Sequence, residues 1–304
     1  MSTLSLSSQA VTDNAQVGQD SHYTLLWRQK QLLLTLSRQP TTLPLMALES
    51  EQLLADCLER SPIQLVRLTP DLGEGALALW ANACAKVHKP AYLRVPSISA
   101  LPKKQNRWKW WLKRLVDWSA AAALLLVIGP LMLGLSSLIL FQSPGPILFS
   151  QWRVGERGKL FQILKFRTMV TGAELYHHQV MGQQAGLHKC ENDPRVTPIG
   201  RWMRKYSLDE LPQLINVLRG EMSLVGPRPW ALYDAVRLSP TVRQRLNALP
   251  GITGIWQVTG RSHVRNLDDV SRADLSYLDN WSLRQDFKIL LLTVPKVLSG
   301  FGAF

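Results

Sequence analysis

The chain has 304 residues, of which 46% are hydrophobic and 19% are charged, and its net charge is +13. This composition excludes a disordered chain, and the length predicts about two domains. The charge is uneven, because residues 1–100 contain eight basic and eight acidic residues whereas residues 101–304 contain 27 and 14. The second region is therefore expected to meet an anionic partner: a nucleic acid, a membrane surface or a phosphorylated substrate.

The first hundred residues predict a tail followed by a small domain. Residues 1–20 are rich in Ser, Gln and Thr and are expected to be disordered. Strand-like and helix-like stretches alternate through residues 21–98, which predicts a small parallel α/β accessory module. The predicted strands are 31–36, 63–68 and 91–95, and the predicted helices are 49–59 and 75–87. This region has no glycine-rich phosphate-binding motif, so no nucleotide site is predicted there. We expect a docking or regulatory module, which could bind a partner protein or a second copy.

An uncharged stretch follows, and its apolar part, Trp118–Phe141, is 24 residues long. A helix of that length would measure roughly 36 Å, which is enough to cross the hydrocarbon core of a bilayer. Gly129 and Pro130 lie at its middle. Proline removes a backbone donor and clashes with the preceding turn, so the helix is expected to kink or break there.

Both flanks of this segment are basic, with net charges of +6 over residues 103–114 and +4 over residues 153–167. Cytoplasmic flanks of membrane segments are the basic ones. A kinked spanning helix would violate this bias on one side, whereas a re-entrant helix that enters and leaves by the cytosolic side agrees with it on both. The charges therefore favour a basic flank and re-entrant helix over residues 103–142, broken at Pro130. Lipid headgroups then explain part of the basic excess, and nucleic acid is not expected as a partner.

Residues 143–304 predict a mostly helical domain with short strands, the first two over 147–154 and 158–166. Thr197 and Pro198 predict a helix start, and the following basic face suits either an anionic interface or an ordinary protein surface. That face contains Arg201, Arg204 and Lys205. The nearby His177, His178, His188 and Cys190 fit no metal motif and are expected in a solvated loop.

Asp209 and Glu210 are adjacent carboxylates in a region rich in arginine. Such a pair can hold a divalent cation, and one member can act as a nucleophile in phosphoryl transfer. Ser207 and Glu210 also have the spacing of a helix capping box, which would give both a structural role. Prolines on both sides of Arg228 restrict its backbone and would pre-organise the guanidinium.

The order of these segments resembles that of the monotopic phosphoglycosyl transferases, bacterial sugar transferases that load a hexose-1-phosphate onto a polyprenyl phosphate. The resemblance covers roughly residues 107–304. It rests on Lys113-Arg114-Leu115-Val116-Asp117, the apolar segment with its proline, Ser143-Pro144-Gly145-Pro146, Lys165-Phe166-Arg167-Thr168-Met169, Asp193-Pro194-Arg195-Val196-Thr197, Ser207–Leu214, Val225-Gly226-Pro227-Arg228-Pro229 and Pro250–Gly260.

The resemblance implies that Asp209 is the nucleophile, which attacks a UDP-sugar, forms a phosphosugar-aspartyl intermediate and releases UMP. Undecaprenyl phosphate would then accept the phosphosugar. Glu210 would hold Mg²⁺ together with Asp209. The residues implied for phosphate or uridine contacts are Lys165, Arg167, Arg195 and Arg228. The resemblance also implies a re-entrant helix with its break at Gly129 and Pro130.

The expected protein is thus a phosphotransferase of the bacterial inner membrane that starts exopolysaccharide synthesis, with its catalytic domain and N-terminal module in the cytosol. The segment from Asp279 to Leu283 resembles the glucose and galactose members of the family, so UDP-glucose is one candidate donor. Two alternatives stay open. They are a membrane-bound glycosyltransferase that transfers the sugar only, and a non-catalytic membrane scaffold.

Overall fold

The computed structural model describes residues 3–8, 21–36, 50–97, 101–176, 193–259 and 267–299. The strands are β1 (Thr3–Ser8), β2 (Ser21–Arg28), β3 (Gln31–Leu36), β4 (Leu65–Leu68), β5 (Ala91–Leu93), β6 (Leu148–Val154), β7 (Leu160–Phe166), β8 (Ser223–Val225) and β9 (Gly251–Thr253). The helices are α1 (Glu51–Arg60), α2 (Gly73–Lys86), α3 (Pro102–Gln105), α4 (Arg107–Gln142), α5 (Pro198–Lys205), α6 (Gln213–Leu218), α7 (Leu232–Arg237), α8 (Ile255–Thr259), α9 (Leu267–Asp279) and α10 (Leu283–Ser299).

The chain divides into two compact units. Unit 1 contains residues 1–95 together with 157–160 and 230–237. Unit 2 contains the remaining residues, 96–156, 161–229 and 238–304. Unit 1 therefore includes two short segments that come from the later part of the chain.

Unit 1 is built on a five-stranded sheet in the order β1-β2-β3-β4-β5. The strands β3, β4 and β5 pair in parallel, as the alternating sequence pattern predicts, whereas β1, β2 and β3 pair antiparallel. The sheet is thus mixed, and β1 forms within the part of the tail that was expected to lack regular structure. The Ser-rich composition of β1 does not predict a strand. An edge strand can nevertheless be held by backbone hydrogen bonds to its neighbour with few apolar side chains.

The core of unit 1 lies between the parallel strands and the two helices. Leu34, Val66, Leu68 and Leu77 are fully buried, and Trp80 is 3% exposed. Ser50 begins α1 by accepting a hydrogen bond from the Leu53 amide. The predicted helices are confirmed with shifts of one or two residues at their ends.

Helix α4 corresponds to the predicted membrane segment and its basic flank. It is capped by Asn106, whose side chain accepts a hydrogen bond from the Lys109 amide at 3.0 Å. The helix continues past Pro130, which therefore does not end it, and a kink at this residue stays a prediction. One proline removes one backbone hydrogen bond, and the bonds of the turns on either side keep the helix intact. Among the described residues α4 is the one helix long and apolar enough to cross a membrane, and only 11% of its most apolar window is buried.

Helix α4 belongs to unit 2, and both of its ends pack on the rest of that unit. Near its start, Lys113 donates to Asp286 at 2.6 Å, and Asp117 accepts from the Ser223 hydroxyl at 2.8 Å. Near its end, Leu135 and Ile139 are 2% exposed and join a cluster with buried Phe166 and Met203. The outward side chains between these contacts are apolar and exposed; they include Leu126, Val127 and Leu133.

The rest of unit 2 is mainly helical. It contains the two-stranded β6-β7 sheet close to the predicted bounds, and a parallel pair, β8 and β9. Thr197 caps α5 as predicted, with its hydroxyl accepting from the Gly200 amide at 3.1 Å, and Pro198 is the first helical residue. The small-parallel-sheet and mostly helical parts of the predicted fold are therefore confirmed.

Candidate active site

The Asp-Glu pair lies in a short turn between two helices of unit 2. After α5 the chain reverses at Ser207, which has a positive φ of 54°, and Leu208–Glu210 form one 3₁₀ turn. The Ser207 side chain makes no capping hydrogen bond to this turn, so the predicted capping box does not form. Instead the Glu210 amide donates to the Ser207 carbonyl at 3.2 Å, and Asp209 points inward, 8% exposed.

Two cations from distant parts of the chain meet this turn. Lys165 Nζ lies 2.7 Å from Glu210 Oε1 and 4.0 Å from Asp209 Oδ2. The Arg228 guanidinium lies 3.9 Å from the same Glu210 oxygen. Four of the six predicted catalytic and phosphate-binding residues are therefore in one cluster.

Burial raises the pKa of the Asp209 carboxyl, and the neighbouring charge of Glu210 acts in the same direction. Lys165, Arg204 and a hydrogen bond from the Asp209 backbone oppose this effect and lower that pKa. A carboxylate that has lost most of its water is a stronger nucleophile, and the nearby cations keep its ionised form accessible.

Arg204 is a further member of the cluster that the sequence did not predict as a site residue. Its Nε donates to the Thr168 hydroxyl at 2.9 Å, and burial lowers the pKa of its guanidinium while Asp209 and Asp193 oppose that shift. The expected basic face of α5 is thus divided, because Arg201 and Lys205 are exposed. One signal was available, since Gly200, Met203 and Arg204 have the spacing of a single helix face, and the first two are the kind of small and apolar residues that point inward.

Arg195 and Arg167, the other two predicted phosphate-binding residues, form hydrogen bonds with groups outside the carboxylate pair. The Arg195 guanidinium forms two hydrogen bonds with Asp193, at 2.9 and 2.6 Å, and both side chains are buried. Hydrogen bonding to Arg195 holds the pKa of Asp193 below its usual range. Arg167 donates to the carbonyl of Pro144 and the hydroxyl of Thr171, both at 3.0 Å, and so fixes the turn that follows α4.

The position of Arg228 depends on close contact between the backbones around β8 and β9. The Gly226 amide donates to the Thr253 carbonyl and the Gly251 amide to the Pro227 carbonyl, both at 2.9 Å. A Cβ on Gly251 would lie 2.1 Å from the Gly226 nitrogen, so only glycine permits this approach. The Arg228 carbonyl accepts from Arg245 at 2.8 Å, which anchors the backbone of the residue.

The carboxylate pair can supply part of a magnesium site. Within the described ranges, no group of three or more His, Cys, Asp or Glu side chains could enclose a metal ion. His177, His178, His188 and Cys190 lie outside the described residues. Mg²⁺ commonly takes one or two protein carboxylates and completes its shell with water and substrate phosphates, and Asp209 and Glu210 fit that donor set.

Comparison with known proteins identifies the family. The sequence model of the bacterial sugar transferases matches residues 108–300, so the chain belongs to this family. The chain is 44% identical over 200 residues to the UDP-glucose:undecaprenyl-phosphate glucose-1-phosphate transferase of Caulobacter vibrioides, which covers 63% of this chain and 72% of that protein.

Two other relatives are longer. Galactosyl transferase CpsE of Streptococcus agalactiae serotype III is 43% identical over 201 residues, covering 63% of this chain and 43% of its own length. The undecaprenyl-phosphate galactose phosphotransferase of Salmonella typhimurium is 39% identical over 224 residues, covering 71% of this chain and 46% of its own length. The chain therefore spans less than half of these two relatives.

Proposed function

We propose that this protein transfers a hexose-1-phosphate from a UDP-sugar to undecaprenyl phosphate and releases UMP. The observation that carries the proposal is the buried Asp209 carboxylate between Glu210, Lys165 and Arg204 in a chain of the bacterial sugar transferase family. The names of the Caulobacter and Salmonella relatives describe the same class of transfer.

The proposed reaction has two displacements at one phosphorus atom. An Asp209 carboxylate oxygen bonds to the phosphorus that carries the sugar, and the bond from that phosphorus to the bridging oxygen breaks, so UMP leaves with the bridging oxygen. A phosphate oxygen of undecaprenyl phosphate then attacks the same phosphorus and expels the Asp209 carboxylate. The product is a sugar linked to the lipid through a diphosphate.

The cations have distinct places in this scheme. Lys165 and Arg228 both reach Glu210, where they can balance negative charge that develops on the transferred group. Arg204 is positioned to keep Asp209 ionised before attack. Mg²⁺ held by Asp209 and Glu210 would neutralise diphosphate charge when bound.

We propose that α4 enters and leaves the membrane on the cytosolic side of the bacterial inner membrane. Contacts of Lys113 and Ile139 with the same unit support this placement, because a simple spanning helix would carry one end away from it. Helix α10 adds a stripe of exposed apolar side chains that suits the same lipid surface. These side chains are Phe287, Leu291, Val294 and Leu298.

The activity is tested by incubating membranes that contain the protein with Mg²⁺, undecaprenyl phosphate and a panel of UDP-sugars. We expect UMP release and a sugar phosphate on the lipid with one donor, and we expect Asp209→Asn to abolish both while staying membrane-bound. Release of UDP would indicate a sugar-only glycosyltransferase. Full complementation by Asp209→Asn would favour the scaffold and remove Asp209 as nucleophile.

The membrane placement is tested separately. Single cysteines placed in the two flanks of α4, in a chain without its three natural cysteines, are treated with an impermeant thiol reagent on intact cells. We expect protection of both flanks until the cells are opened. Labelling of either flank from outside would contradict the re-entrant placement.

A further inference from the structure

Helix α7 joins unit 1 although it belongs to the matched family region. It packs on α2 and on the 3₁₀ turn Pro70–Leu72. Its inward side chains are fully covered, with Ala235 and Leu232 being 0% and 3% exposed. The family region thus contains a helix whose cover is supplied by residues that precede that region.

The start of α7 is close in sequence to the candidate site. Only three residues separate Arg228 from Leu232, and the first of them is Pro229. Proline fixes φ, so this short connection has little freedom to absorb a movement of α7. Arg228 in turn lies 3.9 Å from Glu210, a separation at which a small displacement changes the interaction.

The other late segment of unit 1, residues 157–160, leads directly into the strand that carries Lys165. Lys159 forms an antiparallel bridge with Tyr92 in β5, the end strand of the sheet. Gly158 has a positive φ of 78°, and a Cβ there would lie 2.1 Å from the Leu93 carbonyl, so the chain fits closely at this point. Strand β7 begins at the adjacent Leu160 and carries Lys165 near its other end.

We propose that unit 1 is a positioning module for the transferase site, which acts through α7 on Arg228 and through residues 157–160 on Lys165. This inference rests on the proposed function and assigns the N-terminal module a part in it. Both cations that reach Glu210 then depend on chain segments held in unit 1. The module controls the geometry of the charged cluster without touching substrate, so its residues are positioning residues.

The test enlarges a buried alanine in α7 of the full-length protein. Ala235→Leu should displace α7 and lower kcat/KM for UMP release roughly tenfold to a hundredfold, since misplacement by about 1 Å can have that effect. Ala55→Leu is the matched control, because Ala55 is 3% exposed on α1 in the same unit. It should cause similar overpacking and leave kcat/KM within about twofold of the wild type.

A double variant separates positioning from general damage. If α7 acts through Arg228, Ala235→Leu should add little to the loss caused by Arg228→Ala. Additive losses, or equal losses in Ala235→Leu and Ala55→Leu, would overturn the inference. If Ala235→Leu fails to fold, Leu232→Ala and its control Leu54→Ala, each 3% exposed in the wild type, replace the pair under the same criteria. Absence of UMP release by the wild type would instead overturn the proposed function.

Discussion

At the scale of single residues, Arg204 is a charged neighbour of Asp209 that the sequence did not predict as a site residue. Arg204 is half-buried on α5 and, together with the stronger effect of Lys165, lowers the pKa of Asp209 against the larger effect of burial. In the proposed reaction Asp209 must be ionised to attack, so activity should rise with pH as Asp209 loses its proton. Arg204 is therefore expected to extend the pH range of the proposed activity toward acid.

This relation predicts the outcome of Arg204→Met. Without the guanidinium the pKa of Asp209 rises further, and the acid limb of the pH profile of kcat/KM moves to higher pH. The matched control is Arg201→Met, because Arg201 is exposed one turn earlier on the same helix. An unchanged acid limb in Arg204→Met, or an equal shift in both variants, would contradict the assignment.

Arg195 makes a different prediction because its charge is satisfied by Asp193. Arg195→Met leaves a buried carboxylate without its guanidinium and should reduce the free energy of unfolding by about 3 kcal/mol. Asp193 has a lowered pKa in the folded protein, so the stability from this pair is present above its unfolded pKa and is lost as pH falls through the folded value.

Chemical denaturation in detergent across the acid range measures this effect. The loss in free energy of unfolding of Arg195→Met relative to the wild type should be greatest near neutral pH. It should shrink in acid, where Asp193 is protonated in both proteins. Replacing both members, as in Asp193→Asn with Arg195→Met, should recover part of the loss. A variant that kept its stability and only weakened substrate binding would instead favour the role implied by the family resemblance.

At the scale of elements, β8 and β9 position Arg228 through backbone contact. Gly251→Ala would place a methyl group 2.1 Å from the Gly226 nitrogen, so the two strands must separate. We expect at least a tenfold loss of kcat together with about 1–3 kcal/mol of stability. Gly134→Ala is the control, since nothing lies within 4 Å of a Cβ there and alanine favours a helix.

The prediction is checked by measuring kcat and the thermal unfolding of Gly251→Ala and Gly134→Ala against the wild type. The control should stay close to the wild type in both measurements. A tolerated Gly251→Ala would show that the strands can move apart without disturbing Arg228, contrary to the position inferred for that side chain.

Regular elements were the part of the fold most accessible from sequence. The strands β3, β4 and β7, the capped start of α5 and the length of α4 all follow from local patterns. Pro130 shows the limit of such reasoning, because the local rule predicts either a kink or a break. The 36-residue helix continues past this residue, and a kink there stays a prediction. The edge strand β1 was missed because its sequence is polar and its partner β2 is more than ten residues away.

At the scale of the whole molecule, unit 1 is completed by two segments from the later part of the chain, residues 157–160 and 230–237. Deletion of residues 1–95 leaves the matched family region intact but removes the cover of Trp230, Leu232 and Ala235. We expect the shortened protein to aggregate in detergent, because exposed apolar side chains of this size promote association. Size-exclusion chromatography measures this outcome, with deletion of residues 1–8 as a control that removes only the β1 edge. A monodisperse, fully active fragment 96–304 would contradict the dependence on unit 1.

The sequence by itself determined the uncharged apolar helix, its basic flanks, the parallel strands and the Asp209-Glu210 pair. Each of these depends on neighbouring residues, so composition and spacing reveal it. Only the tertiary structure decided which basic side chains reach that pair. Lys165, Arg204 and Arg228 come from three separate segments, whereas Arg195 and Arg167 are held by other partners. The direction of a charged side chain is set by the segments packed around it, and those are remote in the chain.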